Sequence, residues 1–140
     1  MPKGESVLRL LTTDFRMETH LRGSSDFEKV YRTGKRYHGN LLTAFVLPNS
    51  LTHHRLGVTA SRKALGKAVD RNRAKRLLRE MFRVTRTRLD LLQRKYDWVL
   101  NARRTLLNPE SRRRLEEFEK IIASVAEQEI ADSGLDSRLV

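Results

Sequence analysis

Residues 56–82 read LGVTASRKALGKAVDRNRAKRLLREMF, and this stretch decides how the rest of the chain is understood. Its opening alternates: Leu56, Val58 and Ala60 fall on one side, Gly57, Thr59 and Ser61 on the other, which predicts a strand over 55–60 with one apolar face. From Ala68 the period changes to that of a helix, expected to run to Leu92. With Asn72 at the centre of one face, Lys75, Arg76, Arg79, Arg83 and Arg86 lie within about 60° of it. Ala74, Leu77, Leu78, Met81, Phe82, Thr85, Leu89 and Leu92 take the opposite side. A strand is thus followed by an amphipathic helix whose outer face is almost wholly cationic.

The charge is concentrated there. The 140-residue chain carries 29 Lys and Arg against 17 Asp and Glu, a formal net charge of +12. Residues 62–88 hold 11 basic and 2 acidic side chains, and residues 115–140 hold 2 and 7. A surface kept soluble by charge mixes its signs, so a block of one sign points to a polyanion. Arginine forks meet phosphate oxygens at two points, lysine supplies point charge, and Asn72 both donates and accepts toward a base edge or a 2′-hydroxyl. Amides at the helix start add to the anion-binding character. Asp70 in the first turn is accounted for by the helix dipole. A phosphate-loop reading of Gly66-Lys67 fails, because Ser61 stands at the first glycine position and Ala68 where a magnesium-binding hydroxyl belongs.

Outward from this core, Ser25-Asp26-Phe27-Glu28 has the form of a capping box opening a helix, with Gly34 as its left-handed stop. Leu41 to Leu47 reads as a strand closed by Pro48-Asn49-Ser50, and the short link to Arg55 suits an antiparallel hairpin. Tyr96 to Ala102 is the third strand, with Trp98 in the core. Asn108 opens a last helix carrying Leu115, Phe118, Ile121, Ile122 and Val125 on one face. Residues 1–20 read as a loosely ordered extension, 21–132 as one α/β domain, and 133–140 as a frayed acidic tail. Hydrophobic content of 39% suits a single core at this length.

Phe27, Tyr31 and Phe45 bring a helix face and a strand together as an aromatic wall. Such a wall stacks single-stranded bases, but aromatics at helical spacing also simply pack. His20, His38, His53 and His54 show no ligand spacing and are expected on the surface. No paired carboxylates or Ser-His-Asp set stands out, so no catalytic residue and no metal site is expected in the protein. With no cysteine, thiol chemistry and disulfides are excluded. No apolar run approaches the ~18 residues of a membrane span, which leads to the expectation of a cytoplasmic protein without a membrane partner.

Arg71-Asn72-Arg73 at the start of the basic helix, set within residues 56–82, resembles the bacterial ribonuclease P protein component. Asp26 to Gly34 is similar to that family's first helix and Asp97 to Arg103 to its third strand, so the likeness covers residues 20–126. His20-Leu21-Arg22 departs from the family's usual Arg-Leu and is assigned no role. The resemblance implies an α/β fold, an α+β sandwich in the order αββαβα, with a central mixed sheet and a left-handed βαβ crossover. It also implies a division of labour in which a catalytic RNA subunit, working with magnesium, removes the 5′ leader of precursor tRNA. On that basis Arg62, Lys63, Lys67, Arg71, Asn72, Arg73, Lys75, Arg76 and Arg79 would contact the RNA subunit. Phe27, Tyr31 and Phe45 would hold the leader. No cofactor bound by the protein alone and no obligate protein partner is expected. The rival readings are a structural RNA-binding protein of the ribosomal kind and a stand-alone metal-dependent nuclease. The second requires clustered acidic ligands, and the basic segment offers too few.

Overall fold

The computed structural model describes residues 20, 21, 23–108 and 113–139, the last six of these by backbone alone. The N-terminal extension lies outside the described residues, apart from His20, which forms a parallel bridge to Leu56.

The strand read from Leu41 forms as β2 (Leu42–Asn49), and a further strand, β1 (Lys35–His38), precedes it across the turn of Gly39, Asn40 and Leu41. Three successive amides in the turn, those of Asn40, Leu41 and Leu42, donate to the Glu117 carboxylate at 2.7, 2.8 and 3.0 Å. The expected order αββαβα therefore lacks one strand, because β1 is mostly exposed and polar and shows no apolar alternation. Pro48 does not close β2 but lies within it, opposite Tyr96. Pairing with β1 ends at Val46, so the missing proline N–H leaves no gap in that ladder.

The sheet order is β1-β2-β4-β3, with β3 spanning Arg55–Thr59 and β4 spanning Lys95–Ala102. β4 pairs antiparallel with β2 and parallel with β3. The β2–β3 hairpin expected from the short link does not form, since β4 lies between them. Tyr96, Asp97, Trp98, Val99 and Leu100 are all buried, so β4 takes a central position with both faces covered.

Helix α1 (Gly23–Thr33) covers one face of the sheet over Leu21, Val30 and Val99. It starts two residues before Ser25, which is therefore inside the first turn and not its cap. Gly34 does not have the expected left-handed backbone, which belongs to Gly23 and Gly66. Its lack of a side chain serves close approach instead: a Cβ would stand 2.5 Å from the Val30 oxygen and 3.1 Å from that of Val46.

The other face carries the main core beneath α2 (Arg62–Leu65), α3 (Ala68–Val84), α4 (Arg86–Asp90), a 3-10 turn (Arg104–Leu107) and α5 (Arg114–Leu139). Trp98 is fully buried, its ring 5.8 Å from that of Phe118 and 6.3 Å from that of Phe82. The single helix expected over 68–92 is broken at Thr85. There the buried hydroxyl donates to the carbonyls of Met81 and Phe82, a back-bond that bends helices. Helix α5 opens at Arg114 and its backbone runs to Leu139, and Leu115 is exposed rather than in the core.

His54 is the other departure, since it is buried. Its Nδ1 accepts the Tyr96 amide at 3.0 Å and the Trp98 indole N–H at 3.1 Å, while Nε2 donates to the Leu89 carbonyl at 3.0 Å. One neutral tautomer satisfies all three bonds, and burial holds the imidazole below its ordinary 6.5. The unfolded chain takes up a proton as pH falls through that value and the folded chain resists it. The contribution is therefore complete above pH 6.5 and declines below it. Urea midpoints measured between about pH 8 and pH 5 should fall on acidification, and His54→Asn should flatten that dependence.

Candidate nucleic-acid interface

The first part of the site is built by the link between β3 and α3. Ser61 Oγ accepts the Ala64 amide at 3.1 Å and starts α2, and Gly66 ends it at a φ of 72°. Lys67 then precedes α3 with no side-chain cap. Because Ala74, Leu78, Met81 and Phe82 are pinned in the core, the opposite side of α3 must face solvent. Asn72, Arg73, Arg76 and Arg79 are exposed there, Arg71 and Lys75 half-buried, and Arg62, Lys63 and Lys67 exposed at the approach.

None of the eight cations in this group forms a salt bridge among the described residues. Those that do lie elsewhere: Arg55 with Asp97, Arg83 with Glu80, Arg88 with Glu119 and Lys95 with Asp90. Arg83, expected on the cationic stripe, is clipped to Glu80 at 2.5 Å, so the unneutralised surface ends at Arg79. Arg71 adds a buried Nε with no hydrogen-bond partner. A surface that leaves this much charge uncompensated is suited to phosphate.

The second part is the groove between α1 and the sheet. Tyr31 is 38% exposed and meets the Phe45 ring edge-on at 4.8 Å. Phe27 and Phe45 are half-buried against the small core, so they pack and form a wall at once. Gly57 makes this possible, because a Cβ there would meet the Phe27 ring at 2.5 Å. Ser24, Phe27, Glu28, Tyr31 and Thr59 bound an open depression of 580 Å³. The Arg36 guanidinium lies 5.8 Å over the Phe45 ring. Along the same margin Arg103 bonds the His38 ring and the Gly39 carbonyl.

The two parts meet at the outer edge of β3, where His20 bridges to Leu56. Phe27 lines the aromatic depression and also a 240 Å³ cleft shared with His20, Leu56, Gly57 and Arg79. Arg36, His38, Thr59, Asn101 and Arg103 stand at or beside the candidate groove and were not assigned to it from the sequence. The available signal was Asn101, a polar side chain interrupting the apolar run of β4.

Residues 15–126 match the Ribonuclease P family. The chain belongs to that family. A ribonuclease P protein component from Methylococcus capsulatus is 45% identical over 78 residues, covering 56% of this chain and 58% of that protein. The protein component from Caldanaerobacter subterraneus is 35% identical over 104 residues, covering 74% and 86%. Among solved structures, the RNase P protein of Staphylococcus aureus superposes with a TM-score of 0.64 at 25% identity, over 75% of this chain and 93% of that one. That of Thermotoga maritima gives 0.55 at 29%, over 80% and 92%. These matches agree with the α+β fold and the four-stranded mixed sheet. No described helix is long and apolar enough to cross a membrane.

Proposed function

We propose that the protein is the RNA-binding subunit of a cytoplasmic ribonucleoprotein endonuclease that removes the 5′ leader from precursor tRNA. The unpaired cations of α2 and α3 dock the catalytic RNA, and the groove between α1 and the sheet holds the single-stranded leader. The observation that carries this reading is the junction at Phe27 and Arg79, where a phosphate-binding face and a base-stacking face share one cleft. A strand crossing that edge keeps its backbone near cations while its bases reach the aromatic wall.

Among the described residues no three of His, Asp and Glu converge to hold a metal ion. On this reading magnesium, and the hydrolysis it supports, belong to the RNA partner. The protein's contribution is binding and orientation, which raise the concentration and the correct alignment of the substrate.

Cleavage of precursor tRNA by a cognate RNA subunit at low magnesium, with and without the protein, tests this directly. Stimulation is expected, and its absence would leave an RNA-binding protein of the ribosomal kind. Tyr31→Ala should weaken binding of leader-bearing substrate about tenfold, from the loss of one stack, while mature tRNA is unaffected. Equal losses for both RNAs, with a lowered melting temperature, would show that Tyr31 only packs.

A further inference from the structure

Asn101 lies on β4 beneath the aromatic depression. Its Oδ1 accepts the Tyr31 hydroxyl at 2.9 Å and the Thr59 hydroxyl at 2.5 Å, and both donors come from residues that bound the depression. A carbonyl oxygen has two lone pairs, and both are used. The amide is thereby fixed in one orientation, from α1 on one side and β3 on the other. Its Nδ2 has no protein partner among the described residues and keeps two donors.

We infer that Asn101 is a specificity-determining residue of the leader groove, presenting N–H donors and no acceptor to the leader base that stacks beside Tyr31. The inference rests on the leader-binding reading above. A free asparagine recognises adenine in two points, giving one N–H and taking one from the exocyclic amine. Here the accepting half is occupied by two hydroxyls. An adenine amine turned into this part of the groove leaves water and finds no acceptor, and an unpaired buried donor discriminates strongly against its bearer. Uracil turns carbonyl oxygens toward the same N–H groups and is satisfied. Tyr31 thus acts twice, its ring stacking the base and its hydroxyl orienting the group that reads it.

The test is a series of precursor tRNAs that differ in a single leader base, taken position by position and cleaved by the reconstituted holoenzyme. With the unaltered protein, one position should favour uracil over adenine by about tenfold in kcat/KM, carried mainly by KM. Asn101→Asp keeps the shape and puts an acceptor where the donors stood, so the preference should vanish or reverse. Tyr31→Phe keeps the ring and removes one orienting bond, so the preference should narrow. Melting curves of both variants show that each is folded. A base series unchanged in both variants, or flat with the unaltered protein, overturns the inference while leaving leader binding intact. No stimulation of cleavage by the unaltered protein overturns the leader reading and this inference with it.

Discussion

A protein carrying Arg71→Ala, Arg73→Ala and Arg76→Ala together should bind its RNA subunit about a hundredfold more weakly, taking about 1 kcal/mol for each lost contact. Its binding should also depend less on salt. Each phosphate contact releases condensed counterions, so three lost contacts should lower the slope of log K against log salt by about 2 to 3. The structure makes these three residues a clean test. They lie in the first turns of α3, Arg73 and Arg76 exposed and Arg71 half-buried, and none is held by an acidic partner among the described residues, so their removal breaks no salt bridge there. Arg83→Ala is the matched control. It removes one such charge from the same helix, but Glu80 already holds that guanidinium at 2.5 and 3.0 Å. The slope should then change little. Equal effects of Arg83→Ala and of a single Arg73→Ala would show that net charge matters and the face does not. An unchanged slope in the triple variant would place the RNA on another surface.

The cationic face was legible because everything that defines it is local. Apolar side chains at helical spacing orient α3, and the charges fall opposite them whatever the rest of the chain does. The strand β3 was legible for the same reason. The pairing of strands was not: a short link between β2 and β3 suits a hairpin, and only the burial of both faces of β4 sends β4 between them. β1 escaped notice because Lys35, Arg36 and His38 have no apolar face, and its place is set by pairing with β2. His54 gave the surface signal of an unpartnered histidine, yet its three partners come from positions 35 to 44 residues away. Asn101 is the sharpest case. One polar residue in an apolar strand has no meaning until Tyr31, 70 residues away, and Thr59, 42 residues away, are brought to its oxygen. The aromatic wall could be named from the sequence, and the amide that bonds to it could not.

Arg55→Ala should lower the folding stability by about 3 kcal/mol, the largest single-residue loss expected outside the apolar core. Asp97 is 5% exposed, and its carboxylate is held by Arg55 Nε at 2.8 Å, by Arg55 Nη2 at 2.7 Å and by Asn49 Nδ2 at 2.8 Å. Removing the guanidinium leaves a buried negative charge with one neutral donor among these contacts, and burying such a charge is far more costly than forming the pair is favourable. Denaturant midpoints measure the loss. Asp97→Asn in the Arg55→Ala background removes that charge and should recover part of the stability, so the pair should be coupled in a double-mutant cycle. Absence of coupling would mean that Arg55 acts through its packing alone. The same guanidinium also stands 4.0 Å from Asp26 in the first turn of α1. It therefore joins the helix that carries Phe27 and Tyr31 to the central strand that carries Asn101. Among molecules that remain folded, Arg55→Ala should weaken leader binding more than it weakens binding of the RNA subunit, because the α2–α3 face makes none of these contacts.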